Sequence, residues 1–329
     1  MNFEKQARRL EQAALVGLLL LTLMAGACST SPGDGGFPPP PPPPPPPVVT
    51  GVPLGKIAIL PFTGGSVDEQ EGIAEMLSFT KEIMRNFSVI PRTSIIDVVK
   101  QEHTFARSGI TDADTIVRMG KQLGAQYVIA GSITSLGSKN LLIVSIIKIE
   151  AIRQVAGDYI VYDSLDVLNT NETLLRTMGA NLVKLARGVN ESLDNLALPP
   201  VEFTDGANKQ EGDTLAQLLA IHLLRNGKYA VYPRTGNLDQ VRDEYKKQWT
   251  DGNTETGEKA KLGKAVNPRL ALSIKSRKIG SSTRFNAAII DLEYGNTLKG
   301  ESEQYAGLSD GMNTMEVIAK KLSADGVSN

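Results

Sequence analysis

The chain aligns with itself. At a shift of about 142 residues, Ile73, Met76, Leu77, Phe87, Val89, Pro91, Arg92 and Thr93 fall on Leu215, Leu218, Leu219, Tyr229, Val231, Pro233, Arg234 and Thr235, so that VIPRT answers to VYPRT. With one residue inserted between Thr235 and Leu262 the match resumes. Met119-Gly120-Lys121 then falls on Leu262-Gly263-Lys264, and Ile146-Ile147-Lys148-Ile149-Glu150 on Ile289-Ile290-Asp291-Leu292-Glu293. Gly157-Asp158 answers to Gly300-Glu301 and Tyr162 to Tyr305. Such a period is too long for a solenoid unit and implies a duplicated domain. The boundary is expected near Leu198-Pro199-Pro200, which divides the globular part into copies over 55–197 and 198–329.

Each copy reads as a mixed α/β (α+β) unit. Lys56 to Phe62 is a β-rich run closed by Thr63-Gly64-Gly65. Ile73, Met76, Leu77, Thr80, Met84 and Phe87 then keep helical spacing, and Val89-Ile90 begins a second strand. Ser94 with Asp97 resembles a capping box opening a helix to about His103, and a further helix is expected from Asp112 to Leu123. Three runs, Tyr127 to Leu136, Leu141 to Ile149 and Val155 to Val161, predict an antiparallel meander, and an amphipathic run from Asn171 to Leu193 closes the copy as a helix. The result is one mixed sheet per copy with helices packed on it. The second copy starts weakly, since Val201-Glu202-Phe203 follows two prolines and makes at best a short edge strand.

Ahead of the repeats lie two segments of different character. Lys5, Arg8 and Arg9 precede an uncharged, Leu-rich run from Ala13 to Ala27 that meets Cys28, the pattern of a secretory signal over 1–27. LMAGAC resembles the lipobox of bacterial lipoproteins, which implies cleavage between Ala27 and Cys28 and acylation of Cys28. Ser29 in place of an Asp favours the outer membrane on that resemblance. From Cys28 to about residue 54 the chain is a tether, with an unbroken proline run from Pro38 to Pro47. Proline has no N–H for a ladder or helix, so this run is expected as a polyproline II rod of roughly 31 Å.

Composition removes several chemistries. One cysteine and two histidines cannot supply a disulfide framework, a dithiol or a structural zinc site, so no metal and no cofactor is expected. Lys and Arg number 35 against 36 Asp and Glu, without the basic excess of a nucleic-acid binder. Gly120-Lys121-Gln122-Leu123-Gly124-Ala125 lies at a helix end before a strand, opposite to the order of a phosphate loop. His103 and His222 have no accompanying Cys or clustered acid and read as boundary and packing residues. Asp112/Asp114 and Asp68/Glu69/Glu71 read as helix-start acids. Arg92 and Arg234 recur after a strand and suggest a repeated structural hydrogen bond. Trp249, the single Trp, lies in a charged stretch and is the one weak candidate for a partner contact.

The strings KIAILPFTGG, VIPRTSIIDVVKQE and DADTIVRMGKQLGAQYVIAGSI resemble the penicillin-binding protein activator lipoproteins of the LpoB type. The resemblance covers about 55–190, and 200–325 only through the repeat. It implies the fold shared with the curli-assembly lipoprotein CsgG and the TolB N-terminal domain. It also implies an outer-membrane lipoprotein facing the periplasm that stimulates a class A peptidoglycan synthase, a bifunctional penicillin-binding protein, by direct contact. A chain of this kind is an adaptor and not an enzyme. Two copies in place of one, and a short tether, depart from the family's usual form. The alternative implied by the shared fold is a CsgG-like subunit of an outer-membrane export or assembly complex. The near-continuous apolar run Leu141 to Ile147 reads instead as a buried sheet strand.

Overall fold

The apolar run after Gly55 forms a short strand, β1 (Lys56–Ile59), with Ile57, Ala58 and Ile59 all buried. It belongs to a computed structural model that describes residues 52–102, 113–189, 193–198, 201–203, 207–232, 269–291 and 294–324. Ala27, Cys28, the proline run, His103, Arg234 and Trp249 lie outside the described residues.

The first half continues with α1 (Val67–Ser78), α2 (Lys81–Asn86), β2 (Ser88–Val89), α3 (Arg92–Glu102) and α4 (Ala113–Gln122). The meander follows as β3 (Tyr127–Leu136), β4 (Lys139–Lys148) and β5 (Arg153–Tyr162), then α5 (Leu165–Thr170) and α6 (Glu172–Arg187). The three long strands stand where the sequence puts them. Gly137, at φ 65°, makes the β3–β4 turn that a side chain would strain. Three expectations need correction. The helical run through Phe87 breaks at Thr80, whose extended backbone (φ −65°, ψ 133°) and hydroxyl bond to the Leu77 carbonyl (2.8 Å) end α1 and start α2. The capping box is not at Ser94, because α3 starts at Arg92 and the N–H groups of Ser94 and Ile95 bond to the Pro91 carbonyl. The closing helix starts as expected, with Asn171 as its N-cap, but ends at Arg187 and not at Leu193, and a short helix, α5, precedes it.

The second half comprises β6 (Asp194–Ala197), β7 (Glu202–Phe203), α7 (Lys209–Arg225), β8 (Tyr229–Tyr232), β9 (Leu270–Ile279), β10 (Ser282–Asp291), β11 (Thr297–Tyr305) and α8 (Leu308–Ser323). All strands join one mixed sheet in the order β11-β10-β9-β6-β8-β5-β4-β3-β1-β2, with β7 also on β9. Within this order one pattern occurs twice. β5-β4-β3 is antiparallel and β1 runs parallel to both β3 and β2; β11-β10-β9 is antiparallel and β6 runs parallel to both β9 and β8. A bulge falls at Ile146/Ile147 in one and at Ile289/Ile290 in the other. The strand in β1's place is therefore β6, and not the Val201 to Phe203 segment. Leu196 pairs with Val231 and Leu270 as Ile57 pairs with Val89 and Tyr127.

The halves meet where β5 pairs with β8 (Gln154↔Val231) and share one core. On one face of the first half, α1, α2 and α6 cover Ile57, Ile129, Leu142, Val144 and Ile146. On the opposite face α3 and α4 cover Ala58, Val128 and Ile147, while Leu141 and Ile143 join the cluster formed by α7 and α8. β4 is thus buried on both faces. α7 is buried almost all round, as a helix apolar on every side must be. Ile221 alone, 1% exposed, contributes roughly 1.5–3 kcal/mol through burial.

Candidate partner-binding surface

The break between α1 and α2 shapes a groove. Phe79 closes α1 with its N–H on the Glu75 and Met76 carbonyls (3.3 Å each), and because Thr80 turns the chain there, the Phe79 ring is left 67% exposed. Across from it run α5 and the first turns of α6. Leu168 and Leu175, both buried, form the floor with half-buried Leu165. Glu75 and Lys81 stand on one bank, and Asp166, Glu172 and Arg176 on the other. The groove encloses about 630 Å³. An ion pair of Arg176 Nε with Glu82 Oε1 (3.4 Å) ties α6 to α2 beside it. An apolar floor, a projecting aromatic ring and a rim of both charge signs suit the docking of a protein segment, with the ring as anchor and the rim setting register.

Glu69 fixes the start of α1, the helix that carries Glu75 and Phe79. Its backbone N–H bonds to Ser66 Oγ (3.2 Å), its Oε2 accepts from the Ser66 N–H (2.9 Å), and its Oε1 accepts from Tyr162 Oη and Asn140 Nδ2 (3.3 Å each). The reading of Glu69 as a helix-start acid holds, and the structure adds its tie to the ends of β4 and β5. Burial, and then the carboxylate of Glu69, push the Tyr162 hydroxyl well above its ordinary range. Phe79 itself was missed by sequence reasoning. Its signal is a large apolar residue out of step with the Ile73, Met76, Leu77 stripe.

The remaining polar residues fall into structural places. Arg92 Nη1 donates to the Ile59 carbonyl (2.9 Å), a structural hydrogen bond whose expected repeat at Arg234 falls outside the described residues. Burial lowers the Arg92 pKa, with Glu71 and Glu75 opposing. Gly120 packs against the sheet, since a Cβ there would come within 2.6 Å of Ile149, and Gly124, at φ 63°, turns the chain from α4 toward β3. His222 is buried in α7 with Nε2 3.5 Å from Tyr159 Oη. Burial first, then the Arg225 charge, press its pKa down to about 4. Arg225 also pairs with buried Asp158, which accepts from Asn181 Nδ2 (2.9 Å), and stacks 5.3 Å over the Tyr159 ring. This network joins α7 to β5 and α6 across the two halves. Among the described residues no group of His, Cys, Asp and Glu could hold a metal ion, and no helix is long and apolar enough to cross a membrane.

The chain is a mixed α+β module with an apolar-floored groove between α1–α2 and α5–α6. Residues 73–141, from α1 into β4, match the model of the family described as peptidoglycan-synthase activator LpoB, so the LpoB-type resemblance is borne out on this stretch. The comparison with curated proteins returned no match. Similar solved structures include the LpoB C-terminal domain from Salmonella enterica (13% identity, 35% of this chain and 87% of that one, TM-score 0.29). A PelC dodecamer from Paraburkholderia phytofirmans (13%, 40% and 90%, TM-score 0.26) and TolB from Acinetobacter baumannii (9%, 40% and 28%, TM-score 0.25) are similar over comparable shares of this chain.

Proposed function

We propose that this protein is a lipoprotein anchored through Cys28 in the outer membrane, which reaches into the periplasm and stimulates a class A peptidoglycan synthase by direct contact. The observation that carries the reading is the LpoB family match over 73–141, a stretch that contains the α1–α2 bank of the Phe79 groove. The family is one of regulatory activators and not of enzymes. The alternative of a membrane-spanning export subunit needs strands with one lipid-facing side. β4, buried on both faces, has none.

On this reading residues 1–27 are removed, the segment 28–54 sets a stand-off through its proline rod, and the halves over 55–197 and 198–329 follow as two copies of one unit. The Phe79 ring seats in an apolar pocket of the synthase, and the mixed-charge rim excludes wrong partners. Stimulation requires only that the groove bind the active conformation of the synthase more tightly than the inactive one. Phe79→Ser tests this. On a 67% exposed residue it leaves folding within about 0.5 kcal/mol of wild type. It is expected to weaken synthase binding at least tenfold, a loss of about 1.4 kcal/mol. Unchanged binding and stimulation by Phe79→Ser would move the contact elsewhere on the molecule.

A further inference from the structure

Among the described residues, no element covers the second-half counterpart of the sheet face that α7 covers in the first half. In the first half the face presents Ser132 and Thr134 of β3, Leu141 and Ile143 of β4, and Gly157 and Tyr159 of β5. α7 lies on it. Gln217 accepts from Ser132 Oγ (3.2 Å), the Thr214 and Thr134 hydroxyls lie 3.5 Å apart, and Ile221 fills the space over Gly157, where a Cβ would come within 2.6 Å of it. The meanders match pair for pair, since Thr134↔Leu141 answers to Arg277↔Arg284 and Ser145↔Gly157 to Ala288↔Gly300. The counterpart face therefore presents Lys275, Arg277, Arg284, Asn286, Gly300 and Ser302, and all but half-buried Asn286 are exposed.

Two features of this face work against the stability of the isolated molecule. Arg277 and Arg284 stand directly opposite each other, a like-charge pair that disfavours the sheet, and neither side chain has an ion pair or hydrogen bond among the described residues. Gly300 sits in the middle of β11, where glycine weakens a strand, yet a Cβ there would meet nothing nearer than Ala288 at 3.9 Å. Gly300 borders the bulge at Ile289/Ile290, and the open space above it leaves room for another molecule to approach closely.

We propose that this face is a second docking surface, and that its occupant is an acidic amphipathic helix of a partner protein. α7 supplies the template. Positions 214 and 217 of α7 meet Thr134 and Ser132, and position 221 fills the space over a glycine. With Arg277 and Lys275 in place of Thr134 and Ser132, the first two positions take carboxylates, the second sharing Lys275 with Glu202 of β7 (Nζ to Oε2 3.2 Å), while Gly300 keeps the room for a bulky apolar residue at the third. The recognised helix carries an acid, another three residues on, and a large apolar side chain four residues after that, all on one face. The chain's own α1 has Glu75 and Phe79 at the last two of these positions, but Leu165 of α5 lies 3.5 Å from where a Cβ of Gly72 would stand and occupies the first. A second copy is accordingly the poorer fit. The proposal rests on the repeated strand pattern and is independent of the synthase reading.

The test measures binding of fluorescent, side-chain-stapled, Ala-rich helices to the full-length protein. One probe carries Glu, Glu and Phe at this spacing, and its control carries Gln, Gln and Phe. Saturable binding of the acidic helix, at least about tenfold weaker for the control and for the Arg277→Ser/Arg284→Ser variant, supports the assignment. Loss of binding in Gly300→Val, with thermal unfolding unchanged, locates the apolar anchor. Absence of saturable binding, or equal binding by the arginine variant, overturns the proposal. Self-association that the arginine variant abolishes also overturns it, by giving the face to a second copy.

Discussion

Replacing His222 by Gln should make the protein less sensitive to mild acid. His222 lies on α7, buried between the halves, with the Tyr159 hydroxyl at 3.5 Å and the Arg225 guanidinium close by. Burial first and the Arg225 charge second press its pKa down to about 4, with Lys320 adding to the shift and Glu316 opposing it. In the unfolded chain the imidazole titrates near its ordinary 6.5. Between these values the unfolded state binds a proton that the folded state does not, so stability is fully present above about pH 6.5 and falls as pH drops toward 4. At about 1.4 kcal/mol per unit, the loss attributable to His222 between about pH 7.5 and about pH 4.5 is roughly 2.5 kcal/mol. Urea unfolding of wild type and His222→Gln at both pH values measures it. Carboxylates that do not sense His222 contribute equally to both proteins, so the difference between the two pH dependences reports the histidine together with its coupling to Glu316. Equal pH dependence in wild type and variant would refute the placement of His222 as a buried neutral base.

Three further outcomes follow from particular contacts. Gly157→Val puts a Cβ within 2.6 Å of Ile221 and 2.7 Å of Gln154 Nε2, and should lower the stability of both halves together by about 1–3 kcal/mol, read as one cooperative transition by urea unfolding. Separate transitions for the two halves would contradict the shared core. Glu69→Ala removes the capping box of α1 and the bonds to Tyr162 and Asn140, and should cost about 1–2 kcal/mol while bringing the Tyr162 titration closer to its ordinary value, followed by ultraviolet absorbance. Arg225→Met leaves Asp158 without its cation inside the inter-half network and should cost about 3–5 kcal/mol, a loss that an added Asp158→Asn change partly restores.

What was legible in the sequence follows the physics of each element. The meander strands were placed within a few residues because Gly137-Ser138 and the alternating β-branched runs announce themselves locally. β6 was hidden because Asp194 to Ala197 continues the apolar rhythm of α6, and four residues carry too little periodicity to separate strand from helix. Its signal was there in a second register: Leu196-Ala197-Leu198-Pro199-Pro200 answers to Ile57-Ala58-Ile59-Leu60-Pro61. Within the sheet the halves join through one register pair, Gln154↔Val231, which no local pattern encodes. The all-round apolar character of α7 was its trace, since a helix covering a single sheet needs only one apolar face. The groove depends on a broken helix, and Phe79 could be placed on its rim only once α5 was seen to oppose it.

The proposed activity requires synthase contact through the Phe79 groove. Binding of the full-length protein to the class A peptidoglycan synthases of the same organism, with glycan polymerisation followed in the same sample, measures it most directly. The account predicts saturable binding that raises the polymerisation rate, and loss of both with Phe79→Ser. Binding absent at up to about 100 μM, above the range of a specific micromolar contact, or a rate that does not change on saturation, would contradict it.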